Sequence, residues 1–307
     1  MNGLQRLLSR LALKPSLRIV RRRLAARPDA AELRLWSARF DRAAREPAHT
    51  RTTAVTIGDV PALWIDAEGA RAGRVILYLH GGAFIAETPG LHKALVARIG
   101  AQARARALMP SYRLAPEHPY PAALDDCLRC YRFLLEQGWA AGRIVLAGDS
   151  AGGNLVLALL LRLRDAGLPL PAGAVALSPV TDATFGGDSI RRNEGHDAMF
   201  TPALFRALLP LYLPDASLCT HPHVSPLFGD LHGLPPVLLL VGSTELLLDD
   251  AVRYAMKCPS ATLEVWHGMP HVFPAFEFLA EAIDATQRIG RHARHCFVAA
   301  RRAGSTR

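Results

Sequence analysis

The sequence has few cysteines, and none of its apolar runs is long. Five cysteines occur in 307 residues, an odd number that provides no disulfide framework. Cys127 and Cys130 form a C-x-x-C pair inside a predicted helix over residues 122–137, so we expect packed thiols rather than a redox pair. The longest apolar runs, such as residues 155–161 and 237–241, fall far below the ~18 residues that a membrane-spanning helix needs. A transmembrane protein is therefore not expected.

Metal-site signatures, internal repeats and low-complexity segments are missing as well. The chain has no second cysteine pair and no H-E-x-x-H motif, so we expect no metal ion. Its prolines and glycines are scattered, which leaves no evident linker. With half of its residues hydrophobic, the chain can bury a large core as one α/β domain with room for an appended lid.

Basic charge is abundant but confined to one end of the chain. The net charge is +9, and residues 1–51 contain thirteen Lys or Arg against four acidic residues. The remaining 256 residues are therefore electrically balanced. Because the excess belongs to the N-terminal segment and not to the body of the protein, we expect no nucleic-acid partner.

Leucines recur at helical spacing in this basic segment, with arginines between them: Leu4, Leu7, Leu8 and Leu11. The pattern predicts a basic amphipathic helix that ends near Pro15. We favour a helix that packs its leucines on the body, and the alternative is a helix that lies on an anionic membrane surface. The segment has no uninterrupted apolar stretch like that of a signal peptide, so a cytoplasmic protein is expected.

The stretch around Ser150 carries the clearest chemical signal. Residues 144–147 have the length and composition of a buried strand, and residues 154–163 those of a helix. Between them, Gly148 and Gly152 flank the serine in a G-x-S-x-G motif, where side chains would clash in a sharp strand-to-helix turn. Such a turn lifts the Ser150 hydroxyl clear of the sheet, at a helix N-terminus that favours developing negative charge. Ser150 is therefore predicted to be a catalytic nucleophile.

A glycine pair follows another predicted strand, at residues 74–79. Gly81 and Gly82 would let backbone N–H groups approach a substrate oxygen without interference from side chains. Together with the N–H of Ala151, they are predicted to form an oxyanion hole. The neighbouring His80 is expected to anchor this loop by hydrogen bonds rather than to act as a base.

Three motifs occur in a fixed order: HGGAF at residues 80–84, YRLAPEHPYPAALDD at 112–126 and GDSAGGNL at 148–155. Together they closely resemble the hormone-sensitive-lipase family of carboxylesterases, over roughly residues 53–290. The resemblance implies an α/β-hydrolase fold, with a mostly parallel central sheet flanked by helices and covered by a helical cap. It also implies a cofactor-free serine hydrolase that cleaves small carboxylic esters of short or medium acyl chain.

The resemblance also implies how the chain is divided. Residues 53–300 would form the catalytic domain, and residues 1–52 would contribute helices to the cap. An insertion at about residues 181–225 would complete the cap, and its apolar side chains would line an acyl or alcohol pocket.

The remaining members of a triad are sought downstream of Ser150, in the order acid and then histidine. Glu245 follows a predicted strand and is the preferred acid, with Asp249 as the alternative. His271 lies in a G-M-P-H-V-F loop that resembles the one carrying the family's catalytic base. His267, at the end of the last predicted strand, is expected to be a solvated loop residue.

The expected activity is therefore ester hydrolysis through an acyl-enzyme intermediate. Two alternatives remain at this point: an amidase or deacetylase that uses the same triad, and a ligand-binding member of the fold without catalysis. Between residues 250 and 263 the chain is several residues shorter than the family pattern, which predicts a truncated helix there. The sequence leaves open whether the protein forms a homodimer.

Overall fold

The computed structural model describes residues 3–42, 44 and 49–305, and eight strands within them form one sheet. The strands are β1 (Thr50–Ile57), β2 (Val60–Ala67), β3 (Arg71–Leu79), β4 (Ala105–Pro110), β5 (Ile144–Asp149), β6 (Gly173–Leu177), β7 (Val237–Gly242) and β8 (Ala261–Trp266). Their order across the sheet is β1-β2-β4-β3-β5-β6-β7-β8. The first two pairings, β1 with β2 and β2 with β4, are antiparallel, and all others are parallel.

The helices are α1 (Gly3–Ala26), α2 (Ala30–Asp41), α3 (Pro89–Ala103), α4 (Ala122–Glu136), α5 (Ala151–Asp165), α6 (Ser189–Arg192), α7 (Pro202–Tyr212), α8 (Leu248–Lys257) and α9 (Ala280–Ser305). Leucines of α4 and α5 pack on one face of the sheet, and apolar residues of α3 and α9 pack on the other. Because both faces are covered, β5, β6 and β7 are buried along their whole length and consist largely of apolar residues, as parallel strands usually do. The predicted mostly parallel α/β architecture is confirmed.

The carboxyl ends of the parallel strands form the edge of the sheet where a ligand site is expected in such folds. The loops after β3, β5, β6 and β7 all emerge at this edge. The segment between β6 and β7 is long and contains α6 and α7. Helix α8, in the segment where a truncated helix is predicted, has ten residues.

Helix α1 differs from the prediction, because it does not end near Pro15 but continues through it to Ala26. A proline inside a helix removes a hydrogen bond and costs about 3 kcal/mol. Burial of Leu17 and Leu24 against the body, beyond the proline, offsets that cost.

The predicted leucine stripe is only partly tested, because the side chains of Leu4, Leu7 and Leu8 lie outside the described residues. Leu11 does not pack on the body, since its side chain is 65% exposed. The buried face of α1 is instead made by leucines later in the helix, beginning with Leu13. No helix in the described ranges combines the length and apolar character needed to cross a bilayer.

Candidate active site

Ser150 lies in the sharp turn between β5 and α5, as predicted. Its backbone has φ 54° and ψ −118°, a strained conformation for a residue with a side chain. A Cβ at Gly148 would lie 2.6 Å from the carbonyl oxygen of Leu79, and one at Gly152 would overlap that same oxygen. The turn therefore requires glycine on both sides of the serine.

Glu245 and His271 are brought together from two different loops. Glu245 Oε2 lies 2.8 Å from His271 Nδ1, and both side chains are buried. The other carboxylate oxygen accepts hydrogen bonds from the Ser178 hydroxyl, at 2.8 Å, and from the Gly242 amide. These bonds fix the orientation of the carboxylate, which in turn orients the imidazole ring.

Asp249, the alternative acid, and His267, the histidine not favoured as the base, both lie away from the pair of Glu245 and His271. Asp249 is at the start of α8, where its carboxylate accepts from the Ser189 amide at 2.8 Å and pairs with Arg192. It is therefore not available to His271. His267 is exposed in the loop after β8.

The second ring nitrogen of His271 faces no partner. Nε2 is buried and makes no hydrogen bond within the part of the chain that the structure describes. His271 and Ser150 both line one cavity. Burial alone would lower the pKa of His271, but the hydrogen bond and negative charge of Glu245 outweigh burial and raise it. With Nδ1 bonded to Glu245, Nε2 is the ring nitrogen that can accept a proton.

The loop after β3 requires one correction to the predicted oxyanion hole. The Gly81 amide donates to Asp149 Oδ1 at 3.1 Å, so it is not directed at a substrate oxygen. The amides of Gly82, Ala83 and Ala151 have no acceptor among the described residues. Gly82 has φ 124° and Ala83 has φ 56°, so the chain turns sharply there and presents consecutive amides.

Ala83 was missed at the level of sequence because the HGGAF motif contains only two glycines. The requirement that a Cβ be absent applies to Gly82, where a Cβ would overlap the carbonyl oxygen of Ala86. It does not apply to the following residue. What could have indicated Ala83 in the sequence is its place directly after the two glycines, because it continues the turn that begins there.

His80 behaves as expected for an anchoring residue. Its Nδ1 lies 2.8 Å from the carbonyl oxygen of Gly81, and its ring stacks on Tyr112 with centroids 4.1 Å apart. Burial lowers the pKa of His80 to about 4, so the ring is neutral at physiological pH.

A second buried acid and histidine pair lies directly beside the nucleophile. Asp149 accepts from the Tyr78 hydroxyl at 2.7 Å, and its Oδ1 is 3.2 Å from His92 Nε2. Burial would raise the pKa of Asp149, but the charge and hydrogen bond of His92 lower it. Asp149 therefore connects β3, β5, α3 and the Gly81 loop.

Two apolar cavities adjoin Ser150. The first is lined by His271 and by side chains of α1 and α2, among them Leu17, Leu24, Leu33 and Trp36. The second lies on the side of Ala151 and is walled by aromatic and aliphatic residues, among them Phe185, Phe200, Phe205, Leu209 and Tyr212. Residues 181–225 thus supply most of the second cavity.

Within the described ranges, no three His, Cys, Asp or Glu side chains lie close enough together to hold a metal ion. The arrangement instead offers a serine hydroxyl, a histidine oriented by a carboxylate, and unpaired amides. This combination can perform nucleophilic substitution at a carbonyl carbon.

Comparison with known proteins agrees with this geometry. A family model described as the alpha/beta hydrolase fold matches residues 76–275. The chain is 43% identical over 223 residues to an acetyl-hydrolase of Streptomyces hygroscopicus, covering 71% of this chain and 74% of that protein. It is 37% identical over 259 residues to the carboxylesterase/phospholipase LipF of Mycobacterium tuberculosis, covering 80% and 69%.

Solved structures give the same result over most of the chain. The esterase EstE5 superimposes with a TM-score of 0.87 at 38% identity, covering 94% of this chain and 98% of that one. An esterase from the bacterial hormone-sensitive lipase family superimposes with a TM-score of 0.85 at 38% identity, covering 92% and 98%. The chain therefore belongs to the hormone-sensitive-lipase family of carboxylesterases, within the α/β-hydrolase fold.

Proposed function

We propose that this protein is a serine carboxylesterase that uses Ser150, His271 and Glu245 as its triad. The observation that carries the proposal is the 2.8 Å bond between Glu245 Oε2 and His271 Nδ1. This bond leaves His271 Nε2 without a partner among the described residues, and His271 lines the same cavity as the strained Ser150. The family relationship supports the same chemistry. Short to medium acyl esters of small alcohols are the proposed substrates.

In the proposed mechanism, His271 Nε2 takes the proton of Ser150 as the hydroxyl oxygen attacks the ester carbonyl carbon. Glu245 stabilises the imidazolium that forms. The N–H groups of Gly82, Ala83 and Ala151 receive the oxyanion, and one such donor is worth ~3 kcal/mol of activation free energy.

Collapse of the tetrahedral intermediate breaks the bond to the leaving oxygen. His271 donates its proton to that oxygen, so the alcohol departs and the acyl group remains on Ser150. A water molecule then gives its proton to His271 and attacks the acyl carbon. The second collapse releases the carboxylic acid and returns the proton to Ser150.

The proton transfer from His271 indicates which part of the ester each cavity binds. Because His271 protonates the leaving alkoxide, the alcohol portion belongs in the cavity that His271 lines. The acyl portion then belongs in the cavity on the Ala151 side, where Phe185 and Phe205 stack with centroids 5.2 Å apart. These rings limit its depth, which supports a preference for shorter acyl chains.

We assign the segment before β1 and about residues 181–225 to a cap over a catalytic domain that begins at residue 50. The predicted boundary after residue 52 moves because Thr50 and Thr52 already pair with β2 in the sheet. Side chains from both cap segments line the cavities at Ser150. The Arg21 guanidinium also joins the two segments, because it donates to the carbonyl oxygens of Glu194 and Asp197 at 2.8 and 3.0 Å.

The proposed location is the cytoplasm, which is supported by five free cysteines, four of them buried. A homodimer is part of the proposal as well. The open edge of β8, where Val265 is 47% exposed, is the surface on which a second copy would pair. Contact with a membrane would be peripheral and would involve the basic N-terminal helix.

The test is hydrolysis of p-nitrophenyl esters from acetate to decanoate. We expect turnover that is greatest for short chains and is lost in Ser150→Ala and His271→Ala. His267→Ala is the matched control, because this histidine is exposed in the same loop and should leave kcat unchanged.

A folded wild-type protein without turnover on any ester would contradict the proposal. Turnover on amides or acetylated compounds would then identify the amidase or deacetylase alternative. Binding of an ester without turnover would identify the ligand-binding alternative.

A further inference from the structure

Helix α1 has two faces of different character. Leu13, Leu17 and Leu24 form the buried face, which packs on the body. Two large apolar side chains point the other way, with Leu11 65% exposed and Ile19 58% exposed. Apolar side chains this exposed on the outside of a helix have no role in the packing of the monomer.

Arginines surround these two apolar side chains. Arg18, Arg22 and Arg23 are all exposed, and none of them has a carboxylate partner among the residues described. At 3.6 residues per turn, the three arginines and the two exposed apolar residues fall within an arc of about 140°. We define this set, Leu11, Arg18, Ile19, Arg22 and Arg23, as the outer face of α1.

We propose that the outer face of α1 binds the surface of a membrane that contains anionic lipids. A basic helix face with interleaved large apolar side chains matches both parts of such a surface, because arginines meet the phosphates while Leu11 and Ile19 enter the acyl boundary. A nucleic-acid surface would match the arginines but leave both aliphatic side chains exposed.

The opposite face of the same helix lines the cavity at Ser150, through Leu17, Val20 and Leu24. A helix on the membrane would therefore separate the lipid surface from the ester site by only its own width. If the proposed esterase activity holds, this placement favours esters that are dissolved in the bilayer. The membrane binding itself does not depend on that activity.

The test is flotation of the full-length protein with vesicles of phosphatidylglycerol and of phosphatidylcholine. We expect binding to the anionic vesicles only, and we expect it to weaken as salt is raised. Arg18→Glu with Arg22→Glu should weaken the binding at least tenfold, and Ile19→Asp should weaken it as well.

The matched control is Arg132→Glu with Arg291→Glu, which makes the same change in charge at exposed positions of α4 and α9. We expect this control to bind the anionic vesicles nearly as well as the wild type. Hydrolysis of p-nitrophenyl acetate in solution shows whether each variant is folded, and none of the substituted residues lines the active-site cavity.

Three outcomes would overturn the proposal. In the first, the folded wild type fails to float with anionic vesicles. In the second, the control pair weakens binding as much as the α1 pair. In the third, the protein shifts a DNA duplex in a salt-sensitive way without binding vesicles. A wild type that floats but hydrolyses no ester would leave membrane binding intact and contradict only the esterase activity.

Discussion

Substitutions of Asp149 can separate the charge of this carboxylate from its hydrogen bonds. Oδ1 accepts from the Tyr78 hydroxyl at 2.7 Å and from the Gly81 amide at 3.1 Å, and Oδ2 is 3.3 Å from His92 Nε2. Asp149→Asn keeps one oxygen for the two donors and removes the charge. Asp149→Leu keeps the branching at Cγ, with two larger methyl groups in place of the oxygens, and removes every acceptor.

The structure gives different magnitudes for the two variants. Each buried polar group left without a partner costs about 1–3 kcal/mol. Asp149→Leu strands the Tyr78 hydroxyl and the Gly81 amide, so we expect a loss of about 2–6 kcal/mol in the free energy of unfolding. Asp149→Asn should cost about 1–2 kcal/mol, because His92 can become neutral when its anionic partner is removed.

Asp149→Leu and Asp149→Asn should also differ in kcat. The bond from Gly81 to Asp149 holds the turn that presents the amides of Gly82 and Ala83. Losing one oxyanion donor costs about 10²–10³ in kcat. We expect a fall of that size in Asp149→Leu and a fall of less than about tenfold in Asp149→Asn.

Urea unfolding followed by fluorescence measures the stability of each variant, and the acylation burst with p-nitrophenyl acetate measures catalysis. Tyr78→Phe is the control, since it removes one donor to the same carboxylate and leaves the Gly81 bond in place. If Asp149→Leu matches Asp149→Asn in both measurements, Asp149 does not hold the turn and the reasoning is refuted.

Three further predictions concern pH and substrate size. Glu245→Gln removes the negative charge beside His271 while burial remains, so the pKa of His271 should fall. The acidic limb of kcat/KM should therefore move to lower pH, and kcat should fall about 10³–10⁴-fold. An unchanged acidic limb would show that Glu245 does not raise the pKa of His271. Burial raises the pKa of Asp250 to about 7, above its unfolded value, so its contribution to stability is lost as pH rises from about 4 through 7. Calorimetry should therefore show the Tm of Asp250→Asn rising relative to wild type between pH 5 and pH 8, and a relative fall would show the wrong sign. Phe205→Ala enlarges the proposed acyl cavity and should shift the preferred p-nitrophenyl ester to a longer chain, whereas an unchanged chain-length profile would place the acyl group elsewhere.

Much of the fold could be predicted because its signals are local. The apolar strand at residues 144–147 and the turn at Ser150 each follow from residues within a few positions of one another. Helix α1 shows the limit of such signals. Pro15 is a local reason to end the helix, and the burial of Leu17 and Leu24 against distant residues overrides it.

The oxyanion loop shows the same limit at the candidate site. The glycines of the HGGAF motif indicate where backbone can approach a ligand, but they do not indicate which amide is free. That depends on the carboxylate of Asp149, which is 68 residues away from Gly81 in the chain. The structure commits the Gly81 amide to this carboxylate and leaves Gly82 and Ala83 available.

The sequence by itself determined the α/β class, the strained turn at Ser150 and the identities of Glu245 and His271 as candidates, because motif chemistry and short-range sterics are written in adjacent residues. Only the tertiary structure decided that Glu245 rather than Asp249 reaches His271, which amides remain unpaired and which face of α1 is exposed. These outcomes depend on contacts between segments that are far apart in the chain, and burial and hydrogen-bond competition arise only once those segments are packed together.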